Sequence, residues 1–155
     1  MVQEKKDLII KDLMGRLPYG VYAEHIPSGF QGKINNIDIR HKYNGTNSVQ
    51  ELECNVMFFD DGEYMDISYF KPCLRPMETM TEEERKELKK LMNCDYVTYS
   101  SLRYTVGGQV DYDDFLVYYE ESSKLIDWLN KNMFDYRELI EKGLALEATE
   151  GMYNN

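Results

Sequence analysis

Three cysteines, Cys54, Cys73 and Cys94, and two histidines, His25 and His41, are the side chains of this 155-residue chain best equipped for nucleophilic or metal chemistry. The cysteines form no C-x-x-C pair, and an odd number of widely spaced thiols suits neither a zinc site nor a disulfide framework. That usage fits a reducing compartment. Cys54 alternates with Leu52, Val56 and Phe58, so it reads as a small buried hydrophobe. A cysteine–histidine nucleophile would have to recruit His25 or His41, and neither stands in a recognisable motif.

Carboxylates are the second source of chemistry. Asp60, Asp61, Glu63 and Asp66 lie close in sequence, but the spacing of a calcium loop is absent and no metal site is expected. The densest acidic stretch is Asp111, Asp113, Asp114, Glu120 and Glu121, with no basic residue between Tyr104 and Ser123. Pairs such as Asp111 with Asp113, or Asp113 with Asp114, serve a small carboxylate hydrolase only when burial splits their pKa values. This stretch reads as solvated, which makes it a candidate binding surface rather than a catalytic one. A G-x-S-x-G elbow, a P-loop, H-E-x-x-H and G-x-G-x-x-G are all missing from the sequence, so neither an enzyme nor a cofactor is expected.

The formal charge is −10, and it is uneven: residues 1–50 carry +2 and residues 51–155 carry −12. Such a chain repels a phosphate backbone, and direct nucleic-acid binding is not expected. A local group of cations, Lys33, Arg40, His41 and Lys42, lies in the mildly basic first third. These are the residues that would hold the phosphates of a nucleotide.

The elements that must position these groups belong to one domain of ordinary size, with 43% apolar residues and a mean hydropathy of −0.59. No apolar run approaches the length of a membrane span, and MVQEKKDLII lacks the features of a secretory signal, so a cytoplasmic protein is expected. Ile9, Leu13 and Leu17, with Ile10 and Met14 alongside, predict an amphipathic helix over residues 3–17 that stops before Pro18. From residue 19 to 77 the apolar period becomes two. Strands are expected at Gly20–Ile26, at Phe30–Arg40, through Leu52–Phe58, around Met65–Ile67 and at Leu74–Met77. The second changes parity between Ile34 and Ile37, which places a bulge or sharp bend at Asn35 and Asn36. Leu52, Cys54, Val56, Phe58 and Ile67 should be buried, with Glu51 and Glu53 exposed. Asp60–Gly62 reads as a hairpin turn, and Phe70–Cys73 as a tight turn before the last strand. The expected fold class is α+β: a small SH3-like antiparallel barrel with an N-terminal helix and C-terminal helices.

Downstream, Thr81-x-x-Glu84 spells a capping box that opens a surface helix running to about Met92. Residues 96–106 are β-prone, Gly107 and Gly108 supply a hairpin turn, and a partner strand can return from Gln109. Residues 111–121 fit both strand and helix, and a helix is expected from Ser123. Asp135-x-x-Glu138 predicts a final helix that stops at Gly143, followed by an extended tail from Leu144 to Asn155.

LPYG (Leu17–Gly20), KPCLRPM with MTEEE (Lys71–Met77 and Met80–Glu84) and WLNKNMFDYRELIEKGLALEATEGMY (Trp128–Tyr153) carry a resemblance. The chain resembles uncharacterised small proteins from phages and integrated mobile elements of Bacteroides-type gut bacteria. At Glu138 and Thr149 that family pattern has glycine and proline. The resemblance implies a mobile-element origin and a cytoplasmic location, and brings no activity with it. With 13 tyrosines, a residue suited to interfaces, the reading is a non-catalytic accessory protein that binds a host or phage protein. The alternatives are an anti-defence inhibitor, acting as a nucleic-acid mimic or a nucleotide-sequestering protein, and a small hydrolase using carboxylates.

Overall fold

A computed structural model describes residues 3–43, 49–57, 62, 64–91 and 115–153, with the backbone alone for 41–43, 49–53 and 115–122. The fold is α+β, and the chain divides into two compact units, residues 1–74 with 137–155 and residues 75–136.

In the first unit, α1 (Gln3–Arg16) buries a stripe made of Ile9, Asp12, Leu13 and Arg16. These positions repeat at three and four residues, the spacing of one helical face. Met14 lies off that stripe and is 60% exposed, contrary to its expected place on the apolar face. Pro18 stands in a short 3₁₀ turn, Leu17–Tyr19, closed by Gly20 at φ 80°. A side chain rarely adopts that angle, so glycine suits the exit.

Strands β1 (Tyr22–His25), β2 (Phe30–Lys33), β6 (Phe70–Leu74) and β7 (Leu146–Glu147) form one sheet in the order β2-β1-β6-β7. Its β1 partners are antiparallel, whereas β7 runs parallel to β6, Cys73 opposite Leu146. A second, antiparallel sheet has the order β3-β4-β5, from Asn36–Tyr43, Val49–Met57 and Met65–Asp66. Residues 19–77 therefore build two hydrogen-bonded sheets, and no closed barrel is present among the described residues.

The parity change has a direct cause. Ile34 N–H donates to Val21 O in the first sheet at 2.9 Å, and the next residue, Asn35, donates to Met57 O beside the second at 2.9 Å. One long segment thus changes sheets within two residues. Ile34 is buried, yet Phe30 of the same parity is largely exposed because it ends the strand at the hairpin.

Cys54, Val56 and Ile67 are buried as the alternation requires. The side chains of Glu51, Leu52 and Glu53, and residue Phe58, lie outside the described set. The tight turn comes earlier than expected. A 3₁₀ turn occupies Ile67–Tyr69, held by the Asp66 carboxylate accepting Ser68 N–H, and Phe70–Leu74 are strand. The stretch expected to be the last strand, Leu74–Met77, leads instead into a 3₁₀ turn at Met77–Thr79.

In the second unit, α2 (Glu82–Leu91) packs on α3 (Phe115–Lys131) through a core of Met80, Leu88, Leu125, Leu129 and Phe134. The capping box forms: Glu84 N–H donates to Thr81 Oγ1 at 3.2 Å, and Thr81 N–H to Glu84 Oε2 at 2.8 Å. Helix α3 starts at Phe115, eight residues before the expected Ser123, which settles the strand-or-helix ambiguity for 115–121 as helix. It ends where Met133 adopts φ 59°. Phe134 N–H then reaches back to Leu129 O and Met133 N–H to Asn130 O, a Schellman cap with methionine in the glycine place.

The final helix expected from Asp135 does not form. Glu138 also has φ 59°, a left-handed value that no α-helix propagates. A single turn follows, with Gly143 at φ 67° and Leu144 N–H donating to Leu139 O. Gly143 is the stop that the sequence indicated, but of one turn. The tail from Leu144 is not simply extended: it contributes β7 and a turn at 150–153.

Candidate functional site

The end of the first sheet gathers aromatic and apolar side chains. His25 closes β1 and pairs with Phe30 of β2 on one side and Phe70 of β6 on the other. Facing partners in a sheet project their side chains to the same side, so one row holds Phe30, His25 and Phe70. The His25 ring lies 5.2 Å from the Phe70 ring and 6.4 Å from the Tyr69 ring. Ile26 N–H donates to Tyr69 O at 2.9 Å, which fixes the hairpin to the 3₁₀ turn. Ile26 and Phe30 are each 44% exposed and Tyr69 is 52% exposed.

The hairpin itself is held by Ser28 N–H and Gly29 N–H, both donating to His25 O, with Gly29 at φ 69°. His25 Nδ1 and Ser28 Oγ stand 2.8 Å apart, and Ser28 Oγ accepts Phe30 N–H at 3.3 Å. A serine and histidine at that distance meet the first requirement of a nucleophile–base pair. Here the hydroxyl closes the loop, which is the work such residues do in turns.

Of the cations singled out in the sequence, the side chains of Lys33 and Arg40 are described. Lys33 lies in the first sheet, its Nζ 5.4 Å from the Tyr22 ring centre. Arg40 lies in the second sheet and pairs with Asp38 at 2.6 Å. His41 and Lys42 are in β3, their side chains outside the described set. Asp111, Asp113 and Asp114 lie outside the described residues, as do Cys94, Asp60, Asp61 and Glu63. Glu120 and Glu121 belong to α3, described there by backbone alone. Asp66 pairs with Lys6 at 3.5 Å. Among the described residues no group of three potential metal ligands occurs.

Cys54 and Cys73 are both free and buried. Burial pushes each thiol up to about 11, helped at Cys54 by Asp66 and Asp38 and at Cys73 by Glu24. A thiol so held is a poor nucleophile near neutral pH.

Two arrangements lie outside what the sequence pattern led us to expect. Arg16 donates to Asp12 through Nε at 2.7 Å and Nη2 at 2.9 Å, wholly buried, and Arg137 approaches the same carboxylate at 3.3 Å. The four-residue spacing of Asp12 and Arg16 was visible, but the helix pattern treats charges as solvent-facing. The other is the row at the hairpin, which needs three strands to assemble. In the second unit, Arg75 is held between Glu84, at 2.7 and 2.9 Å, and the Phe134 ring at 4.3 Å. Phe134 stacks in turn on Trp128.

No protein-family model, curated protein or solved structure matches the chain. No helix among the described residues is long and apolar enough to cross a membrane.

Proposed function

We propose that the protein is a non-catalytic interaction module whose β-unit presents the hairpin end of the first sheet to a protein partner of host or phage origin. The observation that carries this reading is the exposure of Ile26, Phe30 and Tyr69 on the elements that meet at His25. Single exposed apolar residues are ordinary, but a fixed group of them on adjoining elements is the composition of an interface centre. The finer form of the fold belongs to the same proposal: an SH3-like small barrel. Supporting it are the segment shared between two sheets at Ile34 and Asn35, and the 3₁₀ turn immediately before β6.

The test is affinity capture with the whole chain from cells of the expected host, comparing wild type with Phe30→Gln/Tyr69→Gln. Wild type should retain a protein that the double variant loses, with both forms showing the same unfolding midpoint within error. Retention of the same partners at equal strength by both forms would overturn the proposal.

A further inference from the structure

We propose that the segment Leu139–Tyr153 exchanges between two copies of this chain, each copy completing the first sheet of the other. In the closed form the segment is an added piece on that sheet. β7 lies parallel on β6, Ala148 N–H donates to Leu74 O at 2.8 Å, and Tyr153 sits across Cys73 and Tyr22. Leu139, Leu144 and Ala145 are buried. The strand pairing and the hydrogen bonds of Ala148 and Tyr153 join the segment to β1 and β6. The chemistry that suits β6 is therefore this segment's own, and a second copy supplies it without any new contact.

The boundary of the segment carries the reason to exchange. Arg137 remains anchored on Asp12 at 3.3 Å, and the next residue, Glu138, has φ 59°. A residue with a Cβ is disfavoured there, and the closed path requires that angle. Exchange lets Glu138 extend, relieving both hinges of a dimer while all downstream contacts are remade in trans. Segment exchange through a strained hinge is a low-cost route to a dimer.

The experiment uses the full-length chain. Sedimentation after incubation across a wide concentration range should show a slowly formed dimer whose share rises with concentration. Glu138→Gly removes the hinge strain and should lower the dimer association constant by roughly tenfold or more, since two hinges contribute. Leu146→Cys places a second thiol opposite native Cys73. Oxidation of the dimer fraction should give a disulfide between Cys73 of one chain and the thiol introduced at position 146 of the other, identified by peptide mapping. A chain that stays monomeric throughout overturns the proposal. So does a dimer in which that crosslink is confined to single chains, or one unaffected by Glu138→Gly.

Discussion

The Tyr153 hydroxyl donates to the Cys73 carbonyl at 2.6 Å and accepts the Tyr22 N–H at 3.0 Å, bridging two strands from positions 80 and 131 residues away in sequence. The Tyr22 and Tyr153 rings meet edge to face at 5.6 Å. One side chain thus bonds a carbonyl of β6 and an amide of β1, and holds the last segment of the chain on the first sheet.

Tyr153→Phe keeps the ring and deletes both bonds. It should lower stability by about 1–3 kcal/mol, because two backbone groups lose their partner in a part-buried place. Urea unfolding would show a lower midpoint with unchanged slope. An unaltered midpoint would mean that water replaces the hydroxyl without loss.

Glu138 and Met133 share φ 59° and should respond oppositely to glycine. Glu138→Gly should raise stability by about 0.5–1 kcal/mol net, as relief of the left-handed strain exceeds the added freedom of the unfolded chain. Met133 is 1% exposed. There the lost side chain outweighs the same relief, and Met133→Gly should lower stability by at least about 1 kcal/mol. Thermal or urea unfolding of the pair checks the sign.

Val56 is fully buried on β4, opposite Ile37. Val56→Ala should cost about 1–3 kcal/mol through lost burial and the cavity left behind. A midpoint equal to wild type would contradict that packing.

Acid should weaken the fold through two carboxyls. Burial alone would raise Glu84, but the Arg75 guanidinium and Thr81 N–H outweigh it and hold the group below its ordinary 4.5. At Asp66 the bonds from Ser68 and the nearby Lys6 likewise outweigh burial and hold it below 3.8. A lowered folded value means stability fully present above the ordinary value and lost as pH falls through the lowered one. Stability should therefore decline below about pH 4.5, and Arg75→Gln should flatten that decline, read from urea midpoints against pH.

Alkali acts with the opposite sign. Cys54 and Cys73 rise from 9.0 to about 11, so their contribution is whole below pH 9 and is lost as pH climbs to about 11. Burial also pushes the Tyr153 hydroxyl above its ordinary 10.0, which steepens the loss beyond that pH. Near neutral pH, a thiol reagent should label Cys54 and Cys73 only as fast as the protein opens. Rapid labelling of the folded chain at either position would refute the burial argument.

The features legible along the chain are those that neighbouring residues decide among themselves. Ile9 and Leu13 repeat at helical spacing, Thr81 and Glu84 are close enough to cap each other, Cys54 and Val56 alternate, and Gly143 stops a turn. Each of these signals acts over a few bonds and each reached its place. The change of sheet at Ile34 and Asn35 was legible too, as a break in parity, although the break does not say that two sheets result.

Tertiary structure alone decided the rest. Asp12 and Arg16 occupy an apolar stripe because, as a bidentate pair, they enter the interior with their charges matched, an outcome invisible to a pattern that sorts residues by polarity. Asp135 and Glu138 have the spacing of a helix start, yet the chain turns at Glu138, where local propensity yields to the packing of Leu139 and Leu144. The hairpin site depends on His25, Phe30 and Phe70 meeting across three strands, and β7 depends on a parallel partner more than 70 residues back. Such pairings are set by which buried surfaces meet, and distance along the chain carries no record of them.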